Sequence, residues 1–154
     1  MAAGISATAA QFLGLRIVAE ALQANIVARQ SVITETVFAS EAIIRLMRQA
    51  SDLGFKVIVY FVALPDVETA IRRVALRVAK GGHNVPEADI RRRWPRAHEN
   101  LGRAVTVADE VSVFANEGRG RPIRLVARAL QGSIVLLKSD APPAVTAVLG
   151  PLIG

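Results

Sequence analysis

The sequence predicts an α/β fold, a parallel sheet with flanking helices. Three observations predict it. KVIVYFVAL, residues 56–64, is apolar without a break from Val57 to Leu64. A run of that length without alternation fits a strand covered on both faces, as in parallel sheets. QSVITET, residues 30–36, is β-branched and nearly uncharged and reads as a second strand. Helical periodicity follows each run, so residues 30–80 read strand, helix, strand, helix, a βαβα unit of the kind that builds such sheets.

The elements follow in order. Residues 7–29 read as a helix, with Phe12, Ile17, Ala21, Leu22, Ile26 and Val27 at helical spacing. After the 30–36 strand, residues 40–50 read as a helix with Ile43, Ile44 and Met47 inward, stopped by Gly54. The 56–64 strand ends at Pro65 and Asp66, which open a third helix reaching about Ala79. Residues 86–103 are helical again, with Ile90, Trp94, Ala97 and Leu101 as the apolar stripe, and Pro95 predicts a kink or two short helices. VSVFAN (111–116), IRLVARAL (123–130) and SIVLL (133–137) read as strands on tight connections, with EGRGRP as a turn. Residues 1–138 form the expected domain, and 139–154 a tail too rich in Pro and Gly to assign.

Charge narrows the function. The net charge is +6, and the only lysines are Lys56, Lys80 and Lys138, so the excess is almost entirely Arg. Arg stays charged and forks onto phosphate oxygens, so the balance suits nucleic acid or a phosphorylated small molecule. Aromatic residues make up only 5%, too few for a base-stacking platform, which disfavours nucleic acid. The chain has no cysteine, so neither disulfides nor a thiolate metal site are available, and its two His give no metal-ligand spacing; no metal site is expected. The N-terminus lacks the basic segment of a signal peptide, and no uncharged run is long enough to cross a membrane. A soluble, cytoplasmic protein is expected.

The charge is concentrated around KGGHNVPEADIRRRWPR, residues 80–96. Arg73, Arg77 and Lys80 share one face of the third helix, and Arg93, Arg96, Asn100 and Arg103 one polar face of the next. The joining Gly81-Gly82-His83 offers backbone freedom for a loop that closes. Two solvated amphipathic helices would give the same pattern. Acidic relief is sparse along the two stripes, which favours two basic faces closing over a multiply charged anion.

RVALRVAKGGHNVPEADIRRRWPRAHENL, residues 73–101, closely resembles the lid segment of zeta-toxin-like P-loop kinases. VITETVFAS (32–40) resembles that family's Glu-Thr-Thr strand end, with Val37 in place of the second Thr. ADEVSVFANEGRGRPIRLVARA (108–129) resembles its Ala-Asp…Asn segment and final strands. The resemblance implies a P-loop NTPase-like fold and ATP-dependent phosphorylation, with Mg²⁺, of a hydroxyl on a small molecule, UDP-activated amino sugars being the best-known substrates. It implies that Glu35 and Thr36 contact substrate. Arg77 and Arg93 or Arg96 would act on the phosphates catalytically, and Arg73, Gly81, Gly82 and His83 would line the nucleotide.

The chain departs from the family further at the phosphate cradle and at the general base. No G-x-x-x-x-G-K-[ST] cradle occurs, Gly-Lys never occurs, and no Asp precedes Asp52 to serve as the base. It reads as an N-terminally truncated family domain, without the first strand, cradle, first helix and base, and little kinase activity is expected of it alone. Two alternatives stay open: an interaction or oligomerising protein pairing through an exposed sheet edge, and a basic nucleic-acid-binding module.

Overall fold

The computed structural model describes residues 7–118 and 120–154, with side chains from Ile17 onward. The chain divides after Glu35 into two units. The first holds helix α1 (Ala7–Val27). It closes with Gln30 N–H donating to the Asn25 carbonyl at 2.9 Å while Arg29 takes a φ of 61°. Ile17 and Val27, expected on its apolar stripe, are exposed; Phe12 lies outside the described side chains.

The second unit holds, in order, α2 (Glu41–Asp52), β1 (Ile58–Ala63), α3 (Val67–Val78), α4 (Glu87–Val105), β2 (Glu110–Ala115), β3 (Arg124–Leu130), β4 (Ser133–Leu137) and α5 (Pro143–Leu149), closed by a 3-10 turn at Gly150–Leu152. The strands make one sheet in the order β1-β2-β3-β4. This mixed α/β sheet with flanking helices is compatible with a P-loop-like fold.

Two expectations are corrected. The sheet is mixed, not parallel: β1 and β2 run parallel, but β2–β3 and β3–β4 are antiparallel. Connection length is the reason. Two helices separate β1 from β2, room enough for a crossover, whereas fewer than a dozen residues separate β2 from β3 and β3 from β4, too few for one. Between β3 and β4 the turn is Gln131-Gly132, with φ of 47° and 82°, the left-handed pair that suits a two-residue hairpin. The second correction concerns residues 30–36, which form no strand. Their β-branched composition is a preference for a pleated neighbour, and no strand pairs with them among the described residues.

The core lies on one face of the sheet. Ile44 and Met47 of α2, Leu101, Ala104 and Val105 of α4, and Val145 and Leu149 of α5 pack on Val111, Val113, Val126 and Ala129. The unassigned tail thus supplies a core helix, started by Pro143 in its first turn, where a missing N–H costs nothing. Helix α4 runs through Pro95 as one 19-residue helix, without the break expected there. The carbonyl that Pro95 leaves free belongs to the exposed Arg91 and can meet water. On the other face of β1, Ile58, Tyr60 and Val62 are uncovered.

Candidate functional site

Asp66 starts α3. Its Oδ1 accepts from Thr69 N–H at 2.6 Å, and hydrogen bonding from the Thr69 side chain and then its backbone holds the carboxyl below the usual carboxylate range. The apolar spacing of Val67, Ala70, Ile71 and Val74 turns one side of the first two turns inward, though no residue of the helix is fully buried. Beyond them Leu76 and Val78 are exposed, so the inward side ends halfway along the helix. Arg73 leans the other way. Its Nη2 donates to the Asn116 carbonyl at 3.0 Å and to Asn116 Oδ1 at 2.9 Å. Asn116 N–H in turn donates to the Ala63 carbonyl at 2.8 Å. Arg73 therefore sits at the carboxyl ends of β1 and β2, the end where open α/β sheets take ligands.

The two glycines finish α3. Gly81 N–H donates to Val78 O and Gly82 N–H to Arg77 O, each at 2.9 Å, with Gly81 left-handed at φ 81°. This is a Schellman close. Gly82 is needed for another reason. A Cβ there would stand 2.5 Å from Arg77 Cγ and 2.9 Å from the Arg77 carbonyl. The pair therefore brings the returning chain onto Arg77, whose Nε donates to the His83 carbonyl at 3.1 Å. Among the described residues both Arg77 Nη groups are without partners. Arg73, Leu76, Arg77, Lys80 and Gly82 line a shallow groove of about 410 Å³ that contains no carboxylate.

On α4 the expectation of sparse acidic relief is corrected at Arg93 and Arg103 though not at Arg96, and the neighbouring Arg91 and Arg92 are paired as well. Arg91 pairs with Glu68 at 2.6 Å and Glu87 at 2.7 Å, and these carboxylates raise its pKa. Arg92 meets Asp89 at 2.5 Å, Arg93 lies 3.8 Å from the same carboxylate, and Arg103 pairs with Glu41. Arg96 is exposed and has no partner among the described residues. Neither Arg93 nor Arg96 lines the groove.

Glu35 is exposed and ends the first unit; Thr36 opens the second. Thr36 Oγ1 accepts from Phe38 N–H at 3.2 Å. Phe38 is buried yet has a φ of 62°, a conformation costly for a bulky side chain. Asn100 holds it there. Its Nδ2 donates to the carbonyls of Phe38 at 2.9 Å and Ser40 at 3.2 Å. The expected polar-face residue Asn100 is thus a buried crosslink from α4 to the turn carrying Thr36. Sequence offered a signal for this: Asn100 lies between Ala97 and Ala104 on the inward side of the helix. His98 supports the same turn through rings, edge-on to Phe61, which meets Phe38 edge-on. Its Nδ1 is 2.9 Å from the Trp94 carbonyl, so Nδ1 carries the proton and Nε2 is left as a buried acceptor with no partner. Burial pushes its pKa below the ordinary value.

A larger hollow of about 750 Å³ opens at the amino ends of β1 and β2, lined by Lys56, Asp109, Glu110 and Gln131 among others. Its carboxylates are engaged: Asp109 accepts from Val57 N–H at 2.7 Å, and Glu110 pairs with Arg128 at 3.0 Å. The groove on α3 is the better candidate, having free cations at the ligand end of the sheet.

A family model described as Zeta toxin matches residues 6–125. The chain belongs to the zeta toxin family. No curated protein and no solved structure matches it. Membership brings a kinase-like, nucleotide-binding P-loop theme to a chain without the glycine-rich cradle. The zeta toxin match spans α1 through the start of β3, and so includes Arg73, Arg77, Gly81, Gly82, Asn100 and Asn116. Among the described residues no helix is long and apolar enough to cross a membrane.

Proposed function

We propose that the α3–α4 hairpin is the phosphate-binding arm of an ATP-dependent small-molecule kinase fold of the zeta toxin type, and that the chain alone turns over little or no substrate. One observation carries the reading: Arg73, Arg77 and Lys80 line a groove free of carboxylates, with both Arg77 Nη groups unspent. Such a surface fits the phosphate tail of a nucleotide. Arg77, with Arg93 or Arg96 moving in from α4, neutralises charge on the transferring group, the main protein contribution to phosphoryl transfer. Gly81, Gly82 and His83 let the backbone approach the nucleotide, and Glu35 and Thr36 contact a hydroxyl-bearing substrate, with a UDP-activated amino sugar as the candidate. The groove offers no carboxylate to a Mg²⁺ accompanying ATP.

Low turnover follows from what the sequence lacks. Without G-x-x-x-x-G-K-[ST], the terminal phosphates lose a ring of backbone N–H donors and a Lys. The test is titration of a fluorescent ATP analogue into the full chain at low salt, alongside transfer from γ-labelled ATP. Saturable binding weakened about tenfold (~1.4 kcal/mol) by Arg77→Ala, with no transfer, is expected. No binding at low salt overturns the clamp, and turnover abolished by Arg77→Ala overturns the inactivity.

A further inference from the structure

The two edges of the sheet are defended differently. β4 is five residues long, is bulged against β3 and leads into Lys138 and Asp140. Such features discourage pairing with another chain. β1 has none of them. Its register with β2 is unbroken over Ile58–Ala63, and that segment contains no charge, Pro or Gly. The Val57 and Ala63 carbonyls accept from the β2 side, so the odd-numbered residues turn their backbone groups toward β2. Ile58, Tyr60 and Val62 therefore point N–H and C=O outward. Their side chains share the uncovered face, 43%, 67% and 54% exposed. The strand's composition suits burial on both faces, yet among the described residues nothing covers one face and one edge.

We propose that β1 pairs antiparallel with β1 of a second copy of this chain, across a two-fold axis at Tyr60. Three considerations converge on this register. In an antiparallel pair, directly opposite residues share a face, so only pairings that set even numbers against even keep covered face with covered face. An axis at Tyr60 sets Ile58 opposite Val62 of the partner subunit and Tyr60 opposite Tyr60 of the partner subunit. Those are the residues with outward backbone groups, so each pair exchanges both hydrogen bonds. Side by side they also form apolar cross-strand pairs.

Charge is the third consideration. Continued by a few residues each way, the ladder brings Lys56 diagonally to Asp66 of the partner subunit, roughly 7 Å between Cβ atoms and within a lysine's reach. Both are exposed; Lys56 has no other partner among the described residues, and Asp66 meets Thr69 and Arg72 through Oδ1, which leaves Oδ2 to a lysine. A parallel pairing would need an axis along the strands, which turns one sheet over and sets its covered face beside the bare face of the other. The antiparallel pairing is isologous and closes at two. It is independent of the phosphate-binding reading, since neither Tyr60 nor Lys56 lines the groove.

Light scattering during size exclusion of the full chain, whose mass is 16.4 kDa, should give a dimer. Tyr60→Lys should give a monomer with unchanged circular dichroism. The absence of native cysteine makes the register directly readable. Tyr60→Cys places two Cα atoms about 5.5 Å apart, within disulfide reach, and should cross-link on oxidation. Ile58→Cys places them roughly 13 Å apart and should not. A monomer at sub-millimolar concentration, a dimer untouched by Tyr60→Lys, or cross-linking through Ile58→Cys each overturns the proposal.

Discussion

Helix α4 buries six side chains, Leu101 and Val105 among them, whereas α3, just before it in the chain, buries none. Both helices are amphipathic and carry arginines. α4 lies across the core face of the sheet, and its arginines other than Arg96 are matched by Glu68, Glu87, Asp89 and Glu41. α3 is supported mainly over its first two turns, and its Arg73 and Arg77 bond neutral acceptors, so their charge stays unmatched. A run of positive residues is thus a poor guide to a site. Charge not spent on acids is a better one, and of these two helices the less supported one carries more of it and is the kind of element that can move.

The contrast can be broken most forcefully at Leu101. Leu101→Ala should lower stability by about 2–5 kcal/mol in denaturant unfolding, since the side chain is fully buried. A value near zero would mean α4 does not organise the core. Asn100→Ala should cost about 1–3 kcal/mol, because the Phe38 and Ser40 carbonyls lose their donor. Asn100→Asp should be at least as damaging, as it sets an acceptor against those acceptors.

Acidification sharpens the comparison through His98. Its folded pKa lies below its ordinary 6.5, so the unfolded chain binds the extra proton first. Stability from burying the neutral ring is fully present above about pH 6.5 and declines as pH falls below it, by at most about 1.4 kcal/mol per pH unit. Urea unfolding between pH 7 and pH 5 reads this slope, which His98→Gln should flatten.

Smaller effects belong to α3. Gly81→Ala should cost about 1 kcal/mol, since alanine is strained at φ 81° where open space offers no clash. Leu76→Ala, at a side chain 64% exposed, should stay within about 0.5 kcal/mol of wild type in thermal unfolding. A loss comparable to that at Leu101 would show α3 to be as load-carrying as α4 and would remove the basis of the contrast.

Local chemistry was the readable part of this sequence. Helix starts at Ser40 and Asp66 and the apolar strand at 58–63 depend on side-chain spacing and on neighbours a few residues away. The same local reading failed wherever a distant partner decided the outcome. Residues 30–36 had strand composition but no strand to pair with, and the Pro- and Gly-rich tail became a helix because Val145 and Leu149 had a core to enter. Asn100 passed for a surface residue until the Phe38 turn was placed against it. Gly82 passed for a hinge until Arg77 filled the space its missing side chain leaves. By itself the sequence determined where helices and strands can begin, which faces are apolar, and that cations outnumber acids. Only the tertiary structure decided the direction of the strands, which arginines are neutralised and which polar groups are buried, because ladder pairing, ion pairing and desolvation are set by residues far apart in the chain.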